Sequence, residues 1–120
     1  MTDRGSGSVE LALLIPVLLL VGLALAEIAS VARVQLHVAG AAREGARIAA
    51  TSSDTQDAIR GVHSALGPHL ASGAIVTVSR PAVVGAEASV EVSVVHRLAG
   101  ALFGGAQLEL RSQAVMRVES

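Results

Sequence analysis

The sequence predicts an α+β fold: a long N-terminal helix, a short second helix, and a three-stranded antiparallel sheet packed on the helices. Three patterns lead to this fold class. An uncharged apolar run lies near the N-terminus, a helical repeat of apolar residues continues beyond it, and the C-terminal part alternates apolar with polar residues. Alternation of this kind is typical of an antiparallel sheet with one buried face, and the helices must cover that face.

The apolar run is long enough to cross a membrane. No residue from Leu11 to Ala26 is charged, and these 16 residues would form about 24 Å of helix. The hydrocarbon core of a bilayer is about 30 Å thick, so Val9 and residues 28–32 supply the remaining length. We therefore expect residues 8–32 to span the membrane, with Glu27 near the far interface and a kink at Pro16.

Two other interpretations of the run exist. Ala24 and Ala26 form a small-x-small motif, so a signal peptide cleaved after Ala26 would leave a secreted soluble domain that begins at Glu27. A buried core helix would be apolar on every side, but a chain of 120 residues has too little protein to surround it. The membrane helix is favoured because Arg4 and the terminal amine are a weak n-region for a signal peptide.

The helical pattern continues to about Ala50, so a single helix over residues 8–50 is expected, amphipathic in its outer half. Apolar residues recur every three or four positions after Glu27. The C-terminal part of this helix is rich in small residues, which permit close backbone approach. They pack either against the protein's own sheet or against the helix of another subunit. The candidate packing residues are Ala41, Ala42, Gly45, Ala46 and Ala49.

The remaining elements follow in order. A second helix is predicted over residues 54–67, with Ser53 or Asp54 as its N-cap and Gly67-Pro68 at its end. Strands are predicted over residues 74–80, 87–97 and 107–119. The connection between the last two strands is apolar and contains Phe103, which we expect in the core or at the domain edge.

Composition argues against several classes of function. The net charge is −1, and the chain has one aromatic residue, so it offers neither a basic field nor stacking platforms for nucleic acid. There is no cysteine, and the four histidines lack the spacing of a metal pair on one helix face. No serine lies in a Gly-x-Ser-x-Gly motif. We expect no enzyme activity, no cofactor and no metal site.

Glu10 is the unusual residue, because a carboxylate at the mouth of an apolar helix is costly in lipid and is usually paired or functional. Glu10 either ends the apolar run at the interface, or it pairs with a cation on a neighbouring subunit. A free amine made by cleavage just before the helix would be such a cation, and the pair would set the register of an incoming subunit.

The stretch "RGSGSVELALLIP" and the later motif "AAREGAR" (residues 41–47) resemble the TadE-like family of minor pseudopilins. These proteins serve the tight-adherence (Flp) branch of type IV pili. The resemblance implies a structural subunit for assembly of a pilus or related secretion machinery. It also implies that a prepilin peptidase cleaves the Gly5–Ser6 bond, which makes Glu10 the fifth residue of the mature chain. The partners would be the lipid bilayer, the peptidase, other pilin-like subunits and pilus assembly proteins.

The resemblance also implies a topology. Residues 1–7 would be a cytoplasmic leader, and residues 33–120 an extracytoplasmic domain on a single-pass anchor in the inner membrane. The distribution of positive charge weakly favours the opposite topology, with the C-terminal side in the cytoplasm. Arg33, Arg43 and Arg47 follow the apolar run, whereas only Arg4 and the amine precede it. We follow the resemblance. The alternative function is an unprocessed single-pass membrane protein whose ectodomain binds an envelope partner.

Overall fold

A computed structural model describes residues 3–98 and 104–119, and it confirms the α+β fold. Phe103 lies outside the described residues. Two helices are followed by three strands. The helices are α1 (Asp3–Thr51) and α2 (Thr55–Ala71), and the strands are β1 (Ile75–Ser79), β2 (Glu87–Arg97) and β3 (Gln107–Arg117).

Helix α1 is longer than the sequence predicts, because it begins at Asp3 and not at Ser8. Gly5 and Gly7 each cost about 1 kcal/mol in a helix, which weakens this segment without ending it. The helix continues through Pro16 to Thr51 and has 49 residues in all, so the apolar segment and the start of the folded domain belong to one continuous helix.

Helix α2 begins as expected, but it does not stop at the predicted residue. Asp54 is the N-cap, and its carboxylate accepts a hydrogen bond of 2.9 Å from the backbone of Gln56. Gly67 adopts φ 81° and ψ 164°, which breaks the helix where the Gly-Pro pair predicts an end. A further turn then runs to Ala71, because Pro68 is favourable in the first turn of a helix.

Hydrogen bonds also fix the start of α2 through Asp57. Its carboxylate accepts a hydrogen bond of 2.7 Å from the Ser52 hydroxyl and another from the Arg60 guanidinium. These two hydrogen bonds hold the pKa of Asp57 below its usual range, and the one from Ser52 has the larger effect.

The three strands form an antiparallel meander in the order β1-β2-β3. The predicted alternation of β2 is confirmed, since Ala88, Val90, Val92 and Val94 are all buried on its inner face. The register places Val78 opposite Val90, and Val90 opposite Ala114. The core therefore lies between this inner face and the helices.

Helix α1 lies close against both the sheet and α2 because its packed face consists of small residues. A methyl group built on Gly45 would come within 2.5 Å of a methyl of Val62 on α2 and 3.0 Å of a methyl of Val90 on β2. Farther along the helix, the Gln35 amide donates a hydrogen bond of 3.2 Å to the backbone carbonyl of Arg111. The domain is thus held along the C-terminal half of α1.

The C-terminus of α1 is capped by residues distant in sequence. The last turn contains no basic residue. Instead, Arg80 Nε donates a hydrogen bond of 2.6 Å to the Ala49 carbonyl, and the backbone N–H of Glu119 donates one of 2.9 Å to the Ala50 carbonyl. The guanidinium also places a positive charge at the negative end of the helix dipole, so these contacts tie the C-terminal ends of β1 and β3 to α1.

We expect Gly45→Ala to destabilise the domain, by about 1–3 kcal/mol, as overpacking of a tight core does. Gly40 is the matched control, because it lies in the same helix with open space around it. Gly40→Ala should stabilise by about 0.5–1 kcal/mol through helix propensity. Thermal unfolding of the full chain in detergent, followed by circular dichroism, measures both. Equal effects of the two substitutions would contradict this packing.

We expect Arg80→Ala to destabilise the domain by about 1.5–3 kcal/mol, the usual range for a hydrogen bond from a charged group. Arg117→Ala serves as the control, since Arg117 is exposed at the end of β3. The same unfolding measurement applies. If Arg80→Ala lowers the free energy of unfolding no more than Arg117→Ala does, Arg80 has no capping role.

Candidate assembly helix and membrane-proximal contact

The N-terminal part of α1 is uncovered. Every residue from 5 to 23 is exposed, and one 18-residue window of this helix has a mean hydropathy of 2.6 with none of it buried. The segment is about 28 Å long at 1.5 Å per residue. By length and composition this helix could cross a membrane, which fits single-pass anchoring.

Glu10 lies within this uncovered segment. Its side chain is exposed, and no described residue of the chain forms an ion pair with it. The neighbours one turn away along the helix are Ser6 and Leu14, and neither side chain carries a charge. The carboxylate is therefore open to a cation from outside the described fold.

Gly5 and Ser6 are exposed in the first turns of α1. Ser6 lies one helical turn before Glu10, on the same side of the helix. A new amino terminus at Ser6 would therefore lie about 6 Å from Glu10 along the helix axis.

The small residues of α1 lie in the protein's own core. Ala42, Ala46 and Ala49 are 0% exposed, Ala41 is 1% exposed, and Gly45 is also buried. The sequence allows two packing partners for these small residues, the protein's own sheet or the helix of another subunit. In the structure, the protein's own domain packs against them. These five residues present almost no surface to a second subunit.

The charged residues of the "AAREGAR" motif point away from the core. Arg43 and Arg47 are exposed, and Arg47 pairs with Glu44 at 2.6 Å. The hydrogen bonds that Arg47 donates to the Glu44 carboxylate lower the pKa of Glu44 and raise the pKa of Arg47. Such exposed pairs contribute little to stability. The motif thus combines a small buried face with a solvated charged face.

A contact between Glu27 and His96 marks the point where the folded domain begins to cover α1. The Glu27 carboxylate lies 3.5 Å from His96 Nε2, and the two side chains are only 15% and 18% exposed. His96 Nε2 is fully buried and forms no hydrogen bond among the described residues. The contact therefore brings the end of β2 against the helix.

The sequence does not predict this contact. Glu27 is expected near the membrane interface, and the structure adds that its side chain lies against His96 on β2. A signal was present, because His96 continues the inward alternation of Ala88, Val90, Val92 and Val94. A histidine at an inward position close to a carboxylate on the covering helix is the pattern to search for.

The other histidines are dispersed. His37 Nδ1 lies 3.0 Å from the Arg33 carbonyl one turn earlier, and His63 and His69 are exposed on α2. Within residues 3–98 and 104–119, no group of three or more histidine, aspartate or glutamate side chains is arranged to hold a metal ion.

Comparison with protein families finds that residues 5–47 match the family described as TadE-like protein. The match covers the apolar part of α1 and the "AAREGAR" motif, and it confirms the resemblance found in the sequence. Comparison with curated proteins and with solved structures finds no significant match.

We expect Glu27→Ala to loosen the end of the β2–β3 hairpin, because it leaves a nearly buried imidazole without its partner. Amide hydrogen exchange at residues 95–98 should accelerate, and the unfolding temperature should fall. Glu44→Ala is the control, since Glu44 lies on the same helix in an exposed pair. Unchanged exchange at the hairpin end would contradict the tether.

Proposed function

We propose that this protein is a membrane-anchored, minor pseudopilin-like structural subunit for assembly of a tight-adherence (Flp) pilus or related secretion machinery. The match of residues 5–47 to the TadE-like family is the premise. The observation that supports it best is the uncovered apolar segment of α1, which carries Glu10 near its start. A helix that its own domain leaves bare must be covered by lipid or by other subunits.

The proposal includes processing and topology. A prepilin peptidase would cut the Gly5–Ser6 bond on the cytoplasmic side of the inner membrane. Glu10 would then be the fifth residue of the mature chain, and the domain formed by α2, the sheet and the outer half of α1 would lie outside the cytoplasm. Gly5 and Ser6 are exposed on α1, as a cleavage site must be.

The mechanism of assembly rests on Glu10. An unpaired carboxylate in the hydrocarbon region costs about 2.5–3.5 kcal/mol on insertion scales. The amine of Ser6 on a neighbouring subunit would offset this cost by forming an ion pair where water is scarce. Because the pair forms only at one axial offset between two helices, it would fix the register of the incoming subunit.

We propose a structural role and not a catalytic one. Several polar side chains of the domain are engaged in capping, in exposed ion pairs and in the Glu27–His96 contact. The partners in this proposal are the bilayer, the peptidase, other pilin-like subunits and pilus assembly proteins.

We expect Glu10→Gln and Glu10→Ala to leave membrane insertion intact. Both should reduce pilus assembly by tenfold or more, which corresponds to a loss of about 1.4 kcal/mol in the free energy of subunit pairing. The reason is loss of the charge that pairs with the incoming amine. Val9→Ala is the control, because Val9 is 60% exposed beside Glu10 and carries no charge. Membrane fractionation and counting of surface pili measure the two effects. Normal piliation with Glu10→Ala would refute the pairing mechanism.

Intact mass of the protein purified from its host tests processing. A chain that begins at Ser6, and a Gly5→Val variant that keeps its full length, support the proposal. A wild-type chain that retains residues 1–5 would instead support an unprocessed single-pass protein whose ectodomain binds an envelope partner. A chain that begins at Glu27, found only in the soluble fraction, would mean a secreted domain.

A further inference from the structure

An apolar groove lies between α1 and the end of the β2–β3 hairpin. It has a volume of about 420 Å³ and is almost entirely apolar. Glu27 and Gln35 mark its two ends along α1, a distance of about 12 Å at 1.5 Å per residue. Its walls are formed by Ile28, Val31 and Ala32 on one side and by Leu98, Leu108 and Leu110 on the other.

The groove lies at the expected boundary of the bilayer. Residues 5–23 are exposed on all sides, and a span of about 20 residues that starts at Leu11 ends near Ser30. The expected membrane span, residues 8–32, therefore overlaps the α1 wall of the groove. The groove opens where the acyl chains of the leaflet nearest the domain end.

The walls of the groove suit an acyl chain. Such a chain needs no polar partner, and the lining side chains between Glu27 and Gln35 are aliphatic. Two of the lining side chains are large, apolar and exposed, Ile28 at 64% and Leu108 at 40%.

We propose that the groove binds one acyl chain of a bilayer phospholipid and so seats the domain on the membrane surface. This inference rests on the membrane anchoring in the proposed function. The Glu27–His96 contact holds the hairpin against α1 at the membrane end of the groove. The bound chain would fix the height and rotation of the domain relative to the bilayer.

Tryptophan quenching tests the proposal, because the chain contains no tryptophan. The full chain carrying Leu108→Trp is reconstituted in phosphatidylcholine vesicles, with or without bromine on the acyl chains. We expect at least twofold quenching by the brominated lipid. Leu19→Trp, in the uncovered segment, should be quenched as well, whereas Leu36→Trp, 73% exposed on the domain side, should not.

Variants that fill the groove distinguish binding of an acyl chain inside it from general contact of position 108 with the bilayer. Ala32→Phe in the Leu108→Trp chain should reduce the quenching, and Ala32→Leu should reduce it less. Ala32 is exposed, so neither change should disturb folding, which circular dichroism checks.

The outcomes are distinct. Quenching at Leu19→Trp without quenching at Leu108→Trp overturns the groove and leaves the anchoring intact. Quenching at Leu108→Trp that Ala32→Phe does not change also overturns it. A Leu108→Cys chain that forms disulfide-linked dimers in vesicles would assign the groove to a second copy instead. Absence of quenching at Leu19→Trp would overturn the anchoring itself, and with it the proposed function.

Discussion

A single helix that passes through two environments is the constraint on which the structure depends. The C-terminal half of α1 must approach the sheet and α2 closely, so it presents alanine and glycine to them, and a methyl group on Gly45 would clash with valines on both sides. Residues 5–23 are exposed in this fold, and those from Leu11 onward are nearly all aliphatic. The helix is continuous between the two environments.

The charged groups at the two ends of the uncovered segment have different roles. Glu10, near its start, has no partner among the described residues and is available to another molecule. Glu27, near its end, is nearly buried against His96 of the same chain. Carboxylates in apolar surroundings require a partner. In the proposed function, one carboxylate fixes neighbouring subunits in register, and the other holds the domain on its own helix.

Much of this fold could be predicted from the sequence, because its periodicities are clear. The bounds of β2 agree with the prediction, since Ala88 to Val94 alternate without interruption. The start of α1 was missed, because glycines weaken a helix without fixing where it begins. The pairing of Glu27 with His96 could not be predicted either, since it depends on where the hairpin end meets a helix 69 positions earlier in the chain. Periodicity shows which side of an element is buried, but it does not show which elements meet there.

Cysteine accessibility along α1 tests the central claim most directly, since the chain contains no cysteine. Single cysteines are introduced at Val17, Leu20 and Leu36. The membranes that carry each variant are opened and treated with a membrane-impermeant maleimide, which then reaches both membrane surfaces. All three positions are more than half exposed in the isolated fold, and therefore only lipid or neighbouring subunits can protect them. The account predicts rapid labelling at Leu36 and, until the membrane is dissolved in denaturant, none at Val17 or Leu20. Labelling of Val17 as fast as Leu36 would contradict it.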